Sequence, residues 1–385
     1  MVVTGGGTAG HVIPLLAVAS EYKQKHPSAT IRYIGNYGDT FAYLADDSQV
    51  IDGSWRICAG KFRRFHGLGK LFYVKNPSIT LRNIRDLFLF LIGFFQSVWL
   101  LVWWRPNVVF VKGGFVGLPV GLAAALLRIP IVTHDSDTVP GLTNRILARY
   151  ALFMAVAMPP EYYHYPKSRI RYTGLPIRDE FHAVSPEERR LAREQLGVPD
   201  DSFVVAIFGG SQGAVRLNEA VQSIAAEFMA ADSKRWLLHQ TGAYHFDEIS
   251  AAYKMLGTDV AQRVRLWPFL KDIHLVSAAA DIVVSRAGSS IHELSAQQRA
   301  VVLVPNPMLT GAHQTINARV LMERGAALVV TEDDLAKTNN KALAEALSYL
   351  AERPKQREQL ADALGTLAVP NAAAHIVTVL EEAAS

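Results

Sequence analysis

The chain has a single cysteine, Cys58, in 385 residues. No disulfide can form within it, which excludes a disulfide-stapled secreted scaffold and suits a reducing compartment. Short internal repeats and low-complexity tracts are absent, so neither a solenoid nor a disordered tail is expected. No secretory signal is read at the start, where Met1–Thr4 has a strand pattern running straight into a glycine loop. Charge is sparse: 19% of residues are Asp, Glu, Lys or Arg, against 50% hydrophobic. That balance fills ordinary cores, and at roughly 100–200 residues per domain the length implies two.

Acid is missing from one stretch altogether. Gly53–Arg85 carries Arg56, Lys61, Arg63, Arg64, Lys70, Lys75, Arg82 and Arg85 and no Asp or Glu. The net charge of +4 comes from this segment, since the rest holds 31 basic and 35 acidic residues. An apolar run follows, in which 15 of the 18 residues of Leu87–Trp104 are hydrophobic. This is short of the roughly 20 residues a membrane span needs, and Gln96 and Ser97 interrupt it. A strand pattern, Val108–Val111, comes almost at once, so the first reading is a buried crossover helix of an α/β sheet. The neighbouring cations favour a second reading, a helix half-exposed on anionic lipid with Trp99, Trp103 and Trp104 at the interface.

Apolar β-rich runs alternate with amphipathic helical runs along the whole chain. In the first half the strand candidates are Met1–Thr4, Ile31–Gly35, Val108–Val111, Ile131–His134, Phe153–Ala157 and Ile170–Thr173. In the second they are Phe203–Phe208, Trp236–Gln240, Val264–Leu266, Ile282–Ser285, Val301–Val304 and Leu328–Val330. The alternation predicts parallel sheets covered by helices, in two Rossmann-like α/β domains. We place them at residues 1–178 and 179–369, with a last helix in 370–385 packing back on the first. Ser185-Pro186 with Glu188 reads as a capping box opening the second domain.

Three glycine loops follow apolar strands and precede helices: Gly5–His11, Gly113–Gly117 and Gly209–Gly213. Glycine lets backbone amides approach a ligand, and the helix end adds partial positive charge, a combination suited to phosphate or diphosphate. Gly5, Gly7 and Gly10 also fit a dinucleotide fingerprint. That fingerprint wants an acid at the end of the second strand, where this chain has Ile34-Gly35-Asn36, so a dehydrogenase is disfavoured. His11 opens the helix after the first loop, as a cap or a general base. Asp135-Ser136-Asp137 ends a strand; without a His, Asp or Glu cluster it reads as a turn rather than a metal site. In Ser285–Glu293 small residues would admit a ligand to a helix end, with Glu293 accepting from ribose hydroxyls. His313 and Gln314 open another helix and could touch a sugar.

Taken together, GGGTAGHVIP, PNVVFVKGGFVGLPVGLAA, IPIVTHDSDTVPGLTNRILAR, YTGLPIR, FGGSQGA, SRAGSSIHEL and HQTINA resemble the MurG family in order and spacing, over nearly the whole chain. These are the UDP-N-acetylglucosamine: undecaprenyl-diphospho-N-acetylmuramoyl-pentapeptide N-acetylglucosaminyltransferases of peptidoglycan synthesis. The resemblance implies the GT-B architecture, two Rossmann-like domains facing a cleft. It implies inverting transfer of GlcNAc from UDP-GlcNAc to lipid I, at the cytoplasmic face of the cell membrane, with no cofactor, no required metal and no nucleic-acid partner. By the same resemblance Thr8, Arg178, Ser211, Gln212, Leu270, Ser289, Glu293, His313 and Gln314 serve the donor. Gly7, Ala9, Gly10, Gly113, Gly114 and Asp137 serve the acceptor diphosphate. His11 is the first choice of base and Asp135 the second, and Lys61–Trp104 meets the anionic membrane. The chain departs from the family at Ala9 (TAG for TGG), at Asp137 (HDSD for HEQN) and at Leu175 (GLPIR for GNPVR). The alternatives are a GT-B enzyme with another acceptor, a UDP-GlcNAc 2-epimerase, and a UDP-sugar-binding membrane protein without activity.

Overall fold

The computed structural model describes residues 1–63, 76–210 and 213–385. The chain forms two compact units, Met1–Ile177 with Val369–Ser385, and Arg178–Ala368.

The first unit is built on seven parallel strands: β1 (Val2–Thr4), β2 (Arg32–Asn36), β3 (Gly53–Ile57), β4 (Val109–Val111), β5 (Ile131–Asp135), β6 (Phe153–Val156) and β7 (Ile170–Tyr172). Their order is β3-β2-β1-β4-β5-β6-β7. Strand side chains alternate between faces, so both faces must be covered. Val3, Phe110 and Val132 pack on one side with Ile376 and Leu380 of the C-terminal helix Ala372–Ala384. Val2, Val109 and Ile131 pack on the other with Leu100, Leu101 and Val116.

The second unit holds β8 (Phe203–Phe208), β9 (Arg235–Gln240), β10 (Val264–Trp267), β11 (Ile282–Ser285), β12 (Val301–Leu303) and β13 (Leu328–Val329), again parallel. Their order is β10-β9-β8-β11-β12-β13. The helix Pro186–Leu196 opens it through the capping box: the Glu188 amide donates to Ser185 Oγ at 3.2 Å, and the Ser185 amide to Glu188 Oε2 at 2.8 Å. In both sheets strand order reverses beside the first strand, between β1 and β4 and between β8 and β11. Ligands of open α/β sheets gather at the carboxyl ends of strands at such points.

Three expectations need correction. The apolar run is not a buried crossover. It belongs to a helix of 28 residues, Pro77–Trp104, of whose most apolar window only 22% is buried. A polar and small-residue stripe faces the unit. The Cys58 amide donates to Gln96 Oε1 at 2.8 Å, Ser97 Oγ donates to the Gly93 carbonyl at 2.6 Å, and a Cβ on Gly93 would sit 1.7 Å from the Cys58 carbonyl oxygen. The opposite stripe, with Phe88, Leu91, Phe95, Trp99 and Trp103, is exposed.

Second, the basic segment is partly neutralised from outside itself. Arg63 and Arg85 pair with the buried Asp86 at 2.7 and 2.8 Å, and Arg56 pairs with Asp46. Arg64, Lys70 and Lys75 lie outside the described residues. Third, the seventh strand of the first sheet, β3, is an edge strand of mixed residues that no apolar run announces.

Candidate functional site

Each unit gathers candidate residues at the carboxyl ends of its central strands. In the first, the loop after β1 meets the turn after β4. Gly114, at φ 75°, lies so close that a Cβ would sit 2.7 Å from the Gly6 carbonyl oxygen, which only glycine permits. Gly7 adopts φ 85°, and its amide donates to Asp39 Oδ2 at 2.8 Å. The helix Gly114–Leu126 begins directly at the second of the paired glycines, so its first turn points into this turn. Ala9 opens the helix Ala9–Lys25, with the exposed Thr8 as its N-cap and Gly10 in its first turn.

His11 lies in the same turn. Its Nδ1 is 3.0 Å from Thr8 Oγ1, and its Nε2 faces Gly113, where a Cβ would come within 3.8 Å. Burial holds its pKa down to about 4, Lys112 pushes the same way, and the Gly6 carbonyl, Asp137 and Asp39 pull back. The imidazole is therefore neutral across physiological pH.

Asp135, at the end of β5, is buried. It accepts from Asn144 Nδ2 at 2.8 Å and Tyr165 OH at 3.0 Å. Burial raises its pKa to about 6, offset in part by those bonds and by Lys112. Asp137 is half-buried, and its carbonyl accepts from Tyr163 OH at 2.9 Å. Leu175 is 7% exposed and packs as core.

Lys112 and Asn144 escaped the sequence reading. Lys112 is 3% exposed at the end of β4, and its ammonium donates to Ser136 Oγ at 2.5 Å. Burial lowers its pKa to about 8, while Asp135 and Asp137 hold it up. Its signal is a lysine closing an otherwise apolar strand run. Asn144 bridges the His134 carbonyl and Asp135, and its Oδ1 is buried without a hydrogen-bond partner among the described residues. Nothing in a helix-opening LTNR distinguishes it.

In the second unit the Gly209–Gly213 loop follows β8. Its Ser211 and Gln212 lie outside the described residues. Gly213, at φ 80°, is pressed against β9, where a Cβ would sit 2.2 Å from the Thr241 carbonyl oxygen. Ser289 is the exposed N-cap of the short helix Ser290–Ala296. Gln314 and His313 open the helix His313–Glu323. Gln314 Oε1 accepts the Asn306 amide at 2.9 Å, and its Nε2 faces Gly288. Asn317 Nδ2 donates to the Ala287 carbonyl at 3.0 Å, tying the two helix starts together.

Glu293, in the first turn of Ser290–Ala296, makes no side-chain hydrogen bond among the described residues. Burial raises its pKa to about 7, against the opposing pull of Arg178. Arg178 reaches the Lys271 carbonyl at 3.4 Å and stacks on Phe181 at 5.1 Å. Leu270 is half-buried just before that lysine. Among the described residues no three His, Cys, Asp or Glu side chains are grouped to hold a metal ion. A surface cavity of about 490 Å³ beside β13, lined by Val329, Ala342 and Tyr349, has none of these residues in its lining.

Residues 1–156 match the glycosyltransferase family 28 N-terminal domain, and residues 204–376 match the family 28 C-terminal domain. The UDP-N-acetylglucosamine--N-acetylmuramyl-(pentapeptide) pyrophosphoryl-undecaprenol N-acetylglucosamine transferase of Desulforudis audaxviator is 34% identical over 393 residues, covering 100% of this chain and 98% of that protein. The Bacillus subtilis protein of the same name is 31% identical, covering 99% of this chain and 98% of its own. The crystal structure of Acinetobacter baumannii MurG superposes with a TM-score of 0.74 at 25% identity, covering 99% of both chains. With two parallel-sheet Rossmann-like units and full-length kinship, the chain has the GT-B fold and belongs to the MurG family of N-acetylglucosamine transferases.

Proposed function

We propose that this chain transfers N-acetylglucosamine from UDP-GlcNAc to the 4-hydroxyl of the muramoyl sugar of lipid I, forming lipid II at the cytoplasmic face of the membrane. The observation that carries this reading is identity above 30% over the full length with relatives named for that transfer.

In this reading the second unit holds the donor. Amides of the Gly209–Gly213 loop and of the Ser290–Ala296 helix start receive the diphosphate, with Ser211, Gln212 and Arg178 beside them. Glu293 accepts from the ribose hydroxyls, Leu270 lies against the uracil, and Ser289, His313 and Gln314 read the sugar. The O4–C1 bond forms as the bond from C1 to the UDP oxygen breaks. Charge then grows on UDP, where fixed amides stabilise it without reorganising.

The first unit holds the acceptor. Thr8 steadies the His11 ring, and Gly7, Ala9, Gly10, Gly113 and Gly114 receive the acceptor diphosphate. Asp137, an anion, suits a sugar hydroxyl better than a diphosphate. His11 takes the 4-hydroxyl proton. At a pKa of about 4 it is a weak base in the free protein, but a bound diphosphate beside it would raise that value toward the working range. Asp137 and Asp39 are the carboxylates whose charge the His11 ring feels and would steady the imidazolium, while Asp135, the second candidate for the base, acts on Lys112.

The exposed stripe of the Pro77–Trp104 helix supports attachment to the bilayer. Trp99 and Trp103 are 67% and 69% exposed and stack on each other at 6.4 Å. A stripe of this kind beside Lys61, Arg82 and Arg105 fits an interfacial helix lying flat on anionic lipid.

The test is UDP release from UDP-GlcNAc with a lipid I analogue, in EDTA, with UDP-GalNAc and no-acceptor controls. Acceptor-dependent release is expected with UDP-GlcNAc and not with UDP-GalNAc. Release without acceptor, or none with it while UDP-GlcNAc still binds, would sink the transferase reading. For the membrane, a Phe95→Ser, Trp99→Ser, Trp103→Ser variant should lose co-sedimentation with phosphatidylglycerol vesicles. Undiminished binding would remove the helix from the interface.

A further inference from the structure

The amino ends of the second unit's strands carry an unbalanced cluster of positive charge. Arg189 and Arg193 lie one turn apart on the helix Pro186–Leu196, and Arg299 enters β12 opposite them. All three face Asp281, the residue before β11. Arg189 Nη2 and Arg193 Nη2 donate to its two oxygens, the second at 2.8 Å, and the Val204 amide also donates to Oδ2 at 2.7 Å. That carboxylate takes three donors, none of them from Arg299.

Arg193 is saturated, since its other nitrogens donate to the Ala279 and Asp200 carbonyls. Arg299 is different. Its Nε donates to the Gln297 carbonyl at 2.9 Å, and its Nη1 reaches only the Ala278 and Ala280 carbonyls, at 3.5 and 3.4 Å. It has no carboxylate within ion-pair distance among the described residues. Burial, then Arg189 and Arg193, hold its pKa down to about 10, with Asp281 the one group opposing them.

A guanidinium withdrawn from water without a counter-charge is costly, and an anion beside it removes that cost. There is room for one. Ser185, Arg189, Arg193, Asp200 and Arg299 line a cavity of about 310 Å³. Its charged lining is three guanidinium groups and the exposed Asp200, with Asp281 behind them bonded to Arg189 and Arg193. Arg357, which feels both Asp281 and Arg189, adds a fourth cation, with Glu358 beside it. Glu187 and Glu188 on the same helix are turned to Arg190 and Ser185. Planar guanidinium forks match the oxygen spacing of a phosphate.

We infer that this cavity binds a small free oxyanion of the phosphate class, held by Arg299 and Arg189, at the end of the unit opposite Ser289 and the Gly209–Gly213 loop. The site is independent of the transferase reading.

The test is calorimetric titration with sodium pyrophosphate, at ionic strength matched with sodium chloride and with UDP saturating. Saturating UDP keeps the glycine loop from accounting for the heat. The wild-type protein should bind one pyrophosphate. Arg299→Met and Arg189→Gln should each weaken it tenfold or more, while Arg189→Lys weakens it less and UDP binding stays unchanged in all three. Arg189 is partly exposed, so its variants remain informative where Arg299→Met fails to fold. No heat in the wild type, or full binding in the folded Arg189→Gln variant, would overturn the inference.

Discussion

Replacing Glu293 by glutamine removes a carboxyl that burial holds at a pKa of about 7, against an ordinary value of 4.5. The folded chain thus binds this proton more tightly than the unfolded one. The sign follows: native stability is greatest below the unfolded value and is lost as pH rises toward the folded value. The rise from the ordinary value to about 7 corresponds to about 3 kcal/mol of strain carried above neutrality. Glu293→Gln, which keeps the shape and loses the charge, should relieve it. The variant should melt higher by roughly 6–12 °C at about pH 8 for a unit of this size, with little gain at about pH 5.

The donor reading demands the opposite effect on binding. An ionised Glu293 accepts from ribose hydroxyls with ~1.5–3 kcal/mol of charge-assisted bonding, so the variant should bind UDP-GlcNAc roughly ten- to hundredfold less tightly at about pH 8. Wild-type affinity should fall about tenfold per unit below pH 7, and the variant's should not. Scanning calorimetry and titration calorimetry at two pH values measure both. An equal melting difference at both would refute the raised pKa. A flat wild-type affinity would refute the ribose contact and leave the stability argument standing.

The remaining predictions concern the first unit and the packing. His11→Ala should lower kcat by ~10²–10⁴, and the acid limb of wild-type kcat should lie above that of kcat/KM, because bound acceptor raises the imidazole pKa; coincident limbs would count against His11 as base. Lys112→Met removes a cation that Asp135 and His11 both feel, so both should protonate at higher pH. NMR titration of the His11 ring should move up in Lys112→Met and stay put in Lys112→Arg; no movement in the methionine variant would exclude Lys112 as the controlling charge. Gly213→Ala places a Cβ 2.2 Å from a carbonyl oxygen at φ 80°. It should cost at least ~1–3 kcal/mol and weaken UDP binding, read by denaturant melts and titration calorimetry.

What the sequence disclosed follows from how each element is stabilised. Strands buried on both faces read as apolar runs, so β8 and β11 stand out. β3, Gly-Ser-Trp-Arg-Ile at the sheet edge, is mostly half-buried; an edge strand packed on one side by Trp55 has no run to betray it. Loops that need positive φ announce themselves as paired glycines, which is why Gly7 and Gly114 were found. Lys112 and Asn144 were missed because their roles come from what folding brings alongside, Asp135 in both cases, and sequence distance hides that. The helix Pro77–Trp104 is recognisable as a helix with two readings of its facing; Trp99 and Trp103 are exposed as the interfacial reading has them, while Trp104 turns inward against Trp55. In retrospect Asp86, Gly93, Ser97 and Leu100 lie at helical spacing and mark the inner side.

That inner side also sets what the helix would have to give up in order to leave the folded unit. By length and composition the helix is apolar enough to cross a bilayer. A carboxylate at the middle of an inserting helix costs ~2.5–3.5 kcal/mol, and Asp86 and Gln96 would both need partners there. Within the folded unit Asp86 has Arg63 and Arg85 and Gln96 has the Cys58 amide, whereas Ser97 bonds the Gly93 carbonyl of its own helix in either setting. The folded unit thus offers Asp86 and Gln96 what a bilayer does not. Replacing Asp86 and Gln96 together by apolar residues removes both the bonds that hold the helix to the unit and the polar groups a bilayer would have to accommodate, a change that acts on topology rather than chemistry.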